Sequence, residues 1–173
     1  MDVSAINVYL DTSLGPEAHL DAVNSIIDSI LDDSGTPILS VIVALQPQLT
    51  GADDRPRGRA AMLLAELINS GMLMLDTPAV HSLVEFFTAR VSDYPSLPAS
   101  LSGLQALCTL NLASFDHSAS AGDVRLIVDA LFRTLSIQDL AQSARARCFS
   151  ILAAMVADGT TVTKGDCSLH LQP

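Results

Sequence analysis

The stretch TPAVHSLVEFFTARVSDYPSLPASLSGLQALCTLNL, residues 77–112, carries two apolar stripes on either side of a short break. Val80, Leu83, Val84, Phe87 and Val91 fall at i, i+3, i+4, i+7 and i+11, the spacing of one helix face. Leu101, Leu104, Cys108 and Leu112 continue the pattern beyond the break, with Leu97 and Leu107 flanking that face. Thr77-Pro78 reads as a helix start, because the Thr hydroxyl can cap an orphan N–H and Pro has no N–H to leave unpaired. Asp93-Tyr94-Pro95, with Pro98, ends one helix and opens the next, since a residue before Pro is pushed out of the helical region. The segment is a helical hairpin. It holds no catalytic constellation.

Working outward, the same period recurs. Residues 3–11 read as a short helix, and Pro16 opens a longer one with Leu20, Val23, Ile27, Ile30 and Leu31 on its face and Glu17, Asp21 and Asp28 off it. Asp32-Asp33-Ser34-Gly35 stops that helix, and Thr36-Pro37 starts a stripe of Ile38, Val41, Ile42, Leu45 and Leu49. Pro47 inside it predicts a kink or an early end. A polar turn at residues 50–54 leads into a helix over 55–68 with Ala60, Leu63, Leu64 and Leu67 inward. Downstream of a loop at 116–120, Val124, Ile127, Val128, Leu131 and Leu135 mark another helix. After a break at Ser136, Leu140, Ala144, Cys148, Ile151, Leu152 and Met155 mark the last.

Leu49, Val91 and Leu135 each close the first helix of a pair, at spacings of 42 and 44 residues. Those spacings match HEAT or armadillo units of about 40–47 residues. The expected fold is all-α: a right-handed α-solenoid of HEAT/armadillo-like hairpins with about six to seven helices. RPRGRAAMLL (55–64) and SARARCFSIL (143–152) both carry Arg near the start of a second helix, with Asp54 and Asp139 placed to tie neighbouring repeats. The middle pair lacks that Arg. Residues 1–158 are expected to form the solenoid as the N-terminal part of a longer scaffold. From Gly159 onward no helical period remains, and a solenoid end needs a polar cap. Residues 159–173 are therefore expected to be an irregular tail that marks a truncation.

Composition narrows the class. Apolar residues make up 49% of the 173, aromatics only 4%, and Trp is absent, which favours Leu- and Ala-rich stacked helices. A formal charge of -10, with one Lys and eight Arg, offers no basic face for phosphate, so no direct nucleic acid binding is expected. The apolar run 38–45 is too short to span a bilayer, and the N-terminus lacks the basic start of a signal peptide. No membrane association is expected. Cys108, Cys148 and Cys167 are odd in number and lack metal-site spacing, which fits a reducing compartment.

Residues able to carry chemistry each have a simpler structural reading. His19, His81, His117 and His170 fall on different elements without i, i+4 pairing, so no metal site is expected. Asp32-Asp33 and Asp53-Asp54 read as caps and solvated turns. Cys148 lies near Arg145 and Arg147 but also on an apolar stripe, where burial keeps it a thiol. No nucleotide or nucleophile motif is present. The expectation is no catalytic residue, no cofactor and no metal, hence no enzyme. Arg55, Arg57 and Arg59 are the candidates for anchoring an acidic protein partner, against inter-repeat pairing with Asp53, Asp54 or Asp93.

The order of the pairs resembles one family, the N-terminal HEAT region of the methyl-methanesulfonate-sensitivity protein family. SVIVALQPQLTGADDRPRGRAAMLLAELI (40–68) and VHSLVEFFTARVSDYPSLPASLSGLQAL (80–107) carry the resemblance. His81, Leu83, Phe86, Arg90, Asp93, Pro98, Leu101, Gly103, Leu104, Ala106 and Leu107 stand at the family's pattern positions, and residues 124–152 extend it more loosely. The resemblance implies a non-catalytic adaptor of the cytosolic iron–sulfur protein assembly targeting complex, delivering clusters to apo-proteins of DNA replication, nucleotide excision repair and transcription. Implied partners are the iron–sulfur assembly targeting subunits and client helicases and polymerases, in cytoplasm and nucleus. That family is several times longer, and its C-terminal repeats make the main partner contacts. The alternative is a generic HEAT/armadillo protein–protein interaction module.

Overall fold

Eight α-helices and no strand occupy the described residues of the computed structural model, which are 3–32, 38–110 and 117–157. They are α1 (Val3–Leu10), α2 (Pro16–Asp32), α3 (Ile38–Leu49), α4 (Asp54–Asn69), α5 (Thr77–Thr88), α6 (Leu97–Leu110), α7 (His117–Asp129) and α8 (Gln142–Ala157). A single π turn, Ala130–Thr134, extends α7, and a short 3-10 turn, Ile137–Asp139, leads into α8. The short first helix and the seven longer periods each appear, so the count is one above the range expected.

Connectivity and packing make this a solenoid. α4 packs on α6 and α6 on α8, forming one layer built from the second helix of each pair. α3 lies on α4, α5 on α6, and α7 on α5, which adds the second layer. α1 and α2 form their own hairpin, and both touch α4. Each helix hides one apolar stripe against its neighbours, and stacking joins the stripes into one core. Leu63, Leu64, Leu67, Leu83, Phe87, Leu101, Leu104 and Leu107 are all fully buried, and the core extends to Ile127, Leu131, Cys148 and Ile151. The two stripes of the 77–112 hairpin bury as their spacing requires over its described part; Leu112 lies outside the described residues.

Two glycines set how closely the central hairpins approach. A Cβ on Gly103 of α6 would stand 2.4 Å from the Phe87 ring of α5, so only a glycine lets that ring approach the helix so closely. A Cβ on Gly58 of α4 would stand 2.6 Å from the Pro95 carbonyl oxygen, in the turn that joins α5 to α6.

Local expectations change at several points, including the loop expected at 116–120, of which 117–120 form the start of α7. The cap of α5 is Asp76 rather than Thr77: its carboxylate accepts from the Ala79 N–H at 2.9 Å, leaving Thr77 and Pro78 as the first helical residues. α5 ends at Thr88, and Val91 is buried from the turn that follows. Pro47 stays inside α3. The carbonyl that loses its donor belongs to Val43, a residue on the exposed face, where water can satisfy it. In α2 the buried stripe is Ala22, Val23, Ile26 and Ile27, while Leu20 is 62% exposed and Leu31 also faces solvent. α2 has α1 as its close partner and packs less on α4, and among the described residues the outer edge of its apolar face stays exposed at Leu20 and Leu31. The Thr36-Pro37 start and residues 159–173 lie outside the described residues.

Candidate protein-docking surface

The three arginines of α4 have three different environments. Arg57 is a structural clasp. Its Nε and Nη2 donate to the two oxygens of Asp93, each at 3.0 Å, while Nη2 also reaches Asp54 at 2.6 Å and Nη1 the Gly51 carbonyl at 2.9 Å. One fork thus joins the α3–α4 turn, the start of α4 and the α5–α6 turn. A bidentate pair fixes orientation as well as distance. These bonds from Arg57, with a further donation from the Ser96 hydroxyl, hold the Asp93 carboxyl below the usual range. Asp53 caps α4, accepting from the Arg55 N–H at 3.1 Å. The inter-repeat pairing expected for this group is made by Arg57 with Asp93, while its contact with Asp54 stays within α4.

Arg59 points toward α1. Its guanidinium lies 5.0 Å from the centre of the Tyr9 ring and donates to the Tyr9 carbonyl and toward His19 Nε2 at 3.1 Å. That same nitrogen of His19 lies 2.9 Å from the Asp11 carbonyl oxygen. On neutral His19, a proton on Nε2 serves Asp11 and opposes Arg59, while a lone pair does the reverse. Burial, with help from Glu66, pushes the Tyr9 hydroxyl far above its ordinary range, so Tyr9 acts here as a neutral platform. Arg55 is exposed at the rim. Among the described residues no carboxylate lies within ion-pair distance of Arg55 or Arg59.

These residues border a groove of about 880 Å³ between α2 and α4. Arg55, Arg59 and His19 stand at its polar part, and Leu20, Val23 and Met62 supply apolar wall. Arg55 also edges a shallow hollow with Tyr94 and Pro95, where Tyr94 is 86% exposed. Two other surfaces expose apolar groups. The α4–α5 loop projects Met72 and Met74, the latter 98% exposed. Beside α8 a second cleft, about 890 Å³, is lined by Phe132, Ile137, Gln142, Arg145 and Phe149.

The tie between the central and last pairs is a His–Asp contact that the sequence pattern does not reveal. His81 Nδ1 donates to Asp123 at 2.6 Å, and its Nε2 lies 3.4 Å from Glu85. Asp123 is buried, and its hydrogen bond and charge raise the His81 pKa. The separation of 42 residues equals one repeat, which is the only sequence hint. Among the described residues the corresponding tie expected of Asp139 is not formed: Arg145 donates to the Gln138 carbonyl at 3.5 Å instead.

Chemistry at the remaining groups is limited by burial. Cys108 and Cys148 are free and buried; burial pushes the Cys108 thiol up to about 12 and that of Cys148 upward as well. Among the described residues no group of three His, Cys, Asp or Glu side chains converges on a metal-sized site. No helix among them is long and apolar enough to cross a membrane. Cys167 and His170 lie outside the described residues.

Comparison with known proteins bears on residues 42–168, which match a family model described as "Dos2-interacting transcription regulator of RNA-Pol-II". The chain is also similar to the MMS19 nucleotide excision repair protein homolog of Arabidopsis thaliana, 25% identical over 171 residues, covering 97% of this chain and 15% of that protein. The Mus musculus homolog is 29% identical over 132 residues, 76% of this chain and 12% of its own length. For the Homo sapiens homolog the figures are 30% over 117 residues, 66% and 11%. The chain spans about one seventh or less of the relatives it matches.

Proposed function

This chain belongs to the MMS19 N-terminal family, and on that premise we propose that it is a non-catalytic scaffold that docks other proteins in nucleotide excision repair and transcription. The observation that carries the reading is the pairing of that membership with a stack of helical hairpins whose unspent chemistry lies on its surface. Arginines without a carboxylate partner among the described residues, an exposed Tyr and exposed Met and Phe side chains suit recognition of protein. The described thiols suit nucleophilic catalysis poorly, because both are buried.

The finer reading is an adaptor of the cytosolic iron–sulfur assembly targeting complex, working in cytoplasm and nucleus. Its cargo would be proteins that need a cluster rather than the cluster itself. The N-terminal hairpins would contribute docking surface, with assembly partners engaged by repeats of the longer relatives. The test is purification of the tagged chain from cells, followed by mass spectrometry of chemically cross-linked partners. Iron–sulfur assembly subunits and cluster-dependent helicases or polymerases among the cross-linked proteins are the expected result. Cross-links only to proteins without iron–sulfur chemistry would leave a generic HEAT/armadillo interaction module as the correct reading.

A further inference from the structure

We propose that the groove between α2 and α4 is the docking site for an extended protein segment bearing one carboxylate side chain beside apolar ones. This inference rests on the docking reading and names the surface and the chemistry of its occupant. Leu20 stands on the sequence-defined apolar stripe of α2 yet is 62% exposed. With half-buried Met62 it gives the groove an apolar wall, backed by buried Val23. At the same groove Arg55 and Arg59 carry positive charge with no carboxylate in ion-pair reach among the described residues. The partners of Arg59 are a ring face, a carbonyl and a histidine nitrogen that cannot satisfy both of its neighbours at once. The nearby carboxylates are engaged elsewhere: Asp11 accepts from Ser13, Asp54 from Arg57, and Glu66 is bonded to Tyr9. Guanidinium forks match a carboxylate in shape and charge, and Arg and Tyr anchor many protein interfaces.

The occupant is a carboxylate rather than a phosphate chain for an electrostatic reason. Asp54 and Glu66 line the same groove, and the whole chain carries -10. A single negative charge fits between the two arginines, but a polyanion would also meet those acids. The volume of about 880 Å³ lies within the range that holds a short segment of side chains. Tyr94, exposed on the far side of Arg55, extends the contact beyond the groove.

The experiment is display of random twelve-residue peptides against the whole immobilised chain, with each enriched clone retested on two variants. Arg55→Glu reverses the rim charge at an exposed position in the first turn of α4, where an acidic residue suits the helix dipole. Leu20→Ser removes apolar wall at an exposed site. Circular dichroism matching the parent confirms that each variant is folded. The expected result is clones that share an Asp or Glu next to Leu, Ile or Phe and lose at least tenfold in affinity on each variant. Clones that bind both variants as well as the parent overturn the groove assignment while leaving the docking reading intact. Clones without an acidic position overturn the carboxylate chemistry. Tripolyphosphate or a single-stranded oligonucleotide that binds in an Arg55-dependent way would replace it with a phosphate site. An absence of enriched clones overturns both the groove and the docking reading.

Discussion

The α3–α6 block and the α7–α8 pair are built from the same period, yet they finish differently. In the block, α4 and α6 have neighbours on both sides, two glycines allow contact closer than a side chain would permit, and Arg57 ties two turns to the start of α4. In the last pair, α8 rests on α6 and α7 on α5, the connection passes through a π turn and a 3-10 turn, and Phe132 and Phe149 remain about 60% exposed. The tie from α5 to α7 is His81 with Asp123, a titratable contact in place of a permanent one. A stack is therefore not uniformly stable. A repeat covered on both faces holds by packing, and one covered on one face holds by packing plus a few polar contacts.

The largest expected effect is at the centre. Leu104→Ala, at a fully buried position in α6, is expected to cost about 2–5 kcal/mol, the range for emptying a buried Leu site. Leu152→Ala in α8 is the control, since Leu152 packs only partly against the core. Urea unfolding of both should show the central loss at least twice the terminal one, and equal losses would break the comparison. Next comes the clasp. Asp93→Asn keeps the shape but removes the charge that Arg57 grips, with an expected cost of about 1–2 kcal/mol. The lowered Asp93 pKa adds a sign: its contribution is present above the unfolded carboxylate range near pH 4 and is lost as pH falls through the lower folded value. Asp93→Asn should flatten that acid limb of the melting-temperature profile.

The tie to the last pair behaves oppositely. The His81 pKa is raised by the Asp123 hydrogen bond and charge, with Glu85 adding to it. Its contribution is complete below the unfolded value near 6.5 and is lost as pH rises through the higher folded value. Melting of the parent chain should decline over that window, and His81→Gln should remove the decline while leaving the acid limb set by Asp93. The smallest effect belongs to Arg133→Ala. The Arg133–Asp129 pair is solvent-exposed, and its loss is expected to change stability by less than about 0.5 kcal/mol.

What was legible in the sequence follows the same division. Helical period located every helix and most of the core, because Val80, Leu83, Phe87 and Leu104 are apolar at the spacing that burial requires. Period misplaced the outer edge of α2, since it marks which residues prefer to be covered and not whether a neighbour arrives to cover Leu20. Caps were less legible: Asp76 outcompetes Thr77 once Pro78 fixes which N–H groups need an acceptor. At the candidate site, the RPRGR run drew attention to the right turn of α4, but its three arginines have different partners: Arg55 and Arg59 border one groove while Arg57 turns to Asp93. Only tertiary contacts sort Arg57 into the clasp, Arg59 onto Tyr9 and Arg55 into solvent. The His81–Asp123 contact was invisible because neither residue belongs to an apolar stripe.

The most direct test of the central claim, a solenoid held repeat by repeat through neighbour packing, is native-state hydrogen exchange resolved to individual helices. The account predicts that amides of α4 and α6 exchange only with the slowest, most global opening, while those of α7 and α8 open first and together, and sooner above the His81 transition than below it. Uniform protection across all eight helices, or earlier opening of α4 and α6 than of α8, would contradict it.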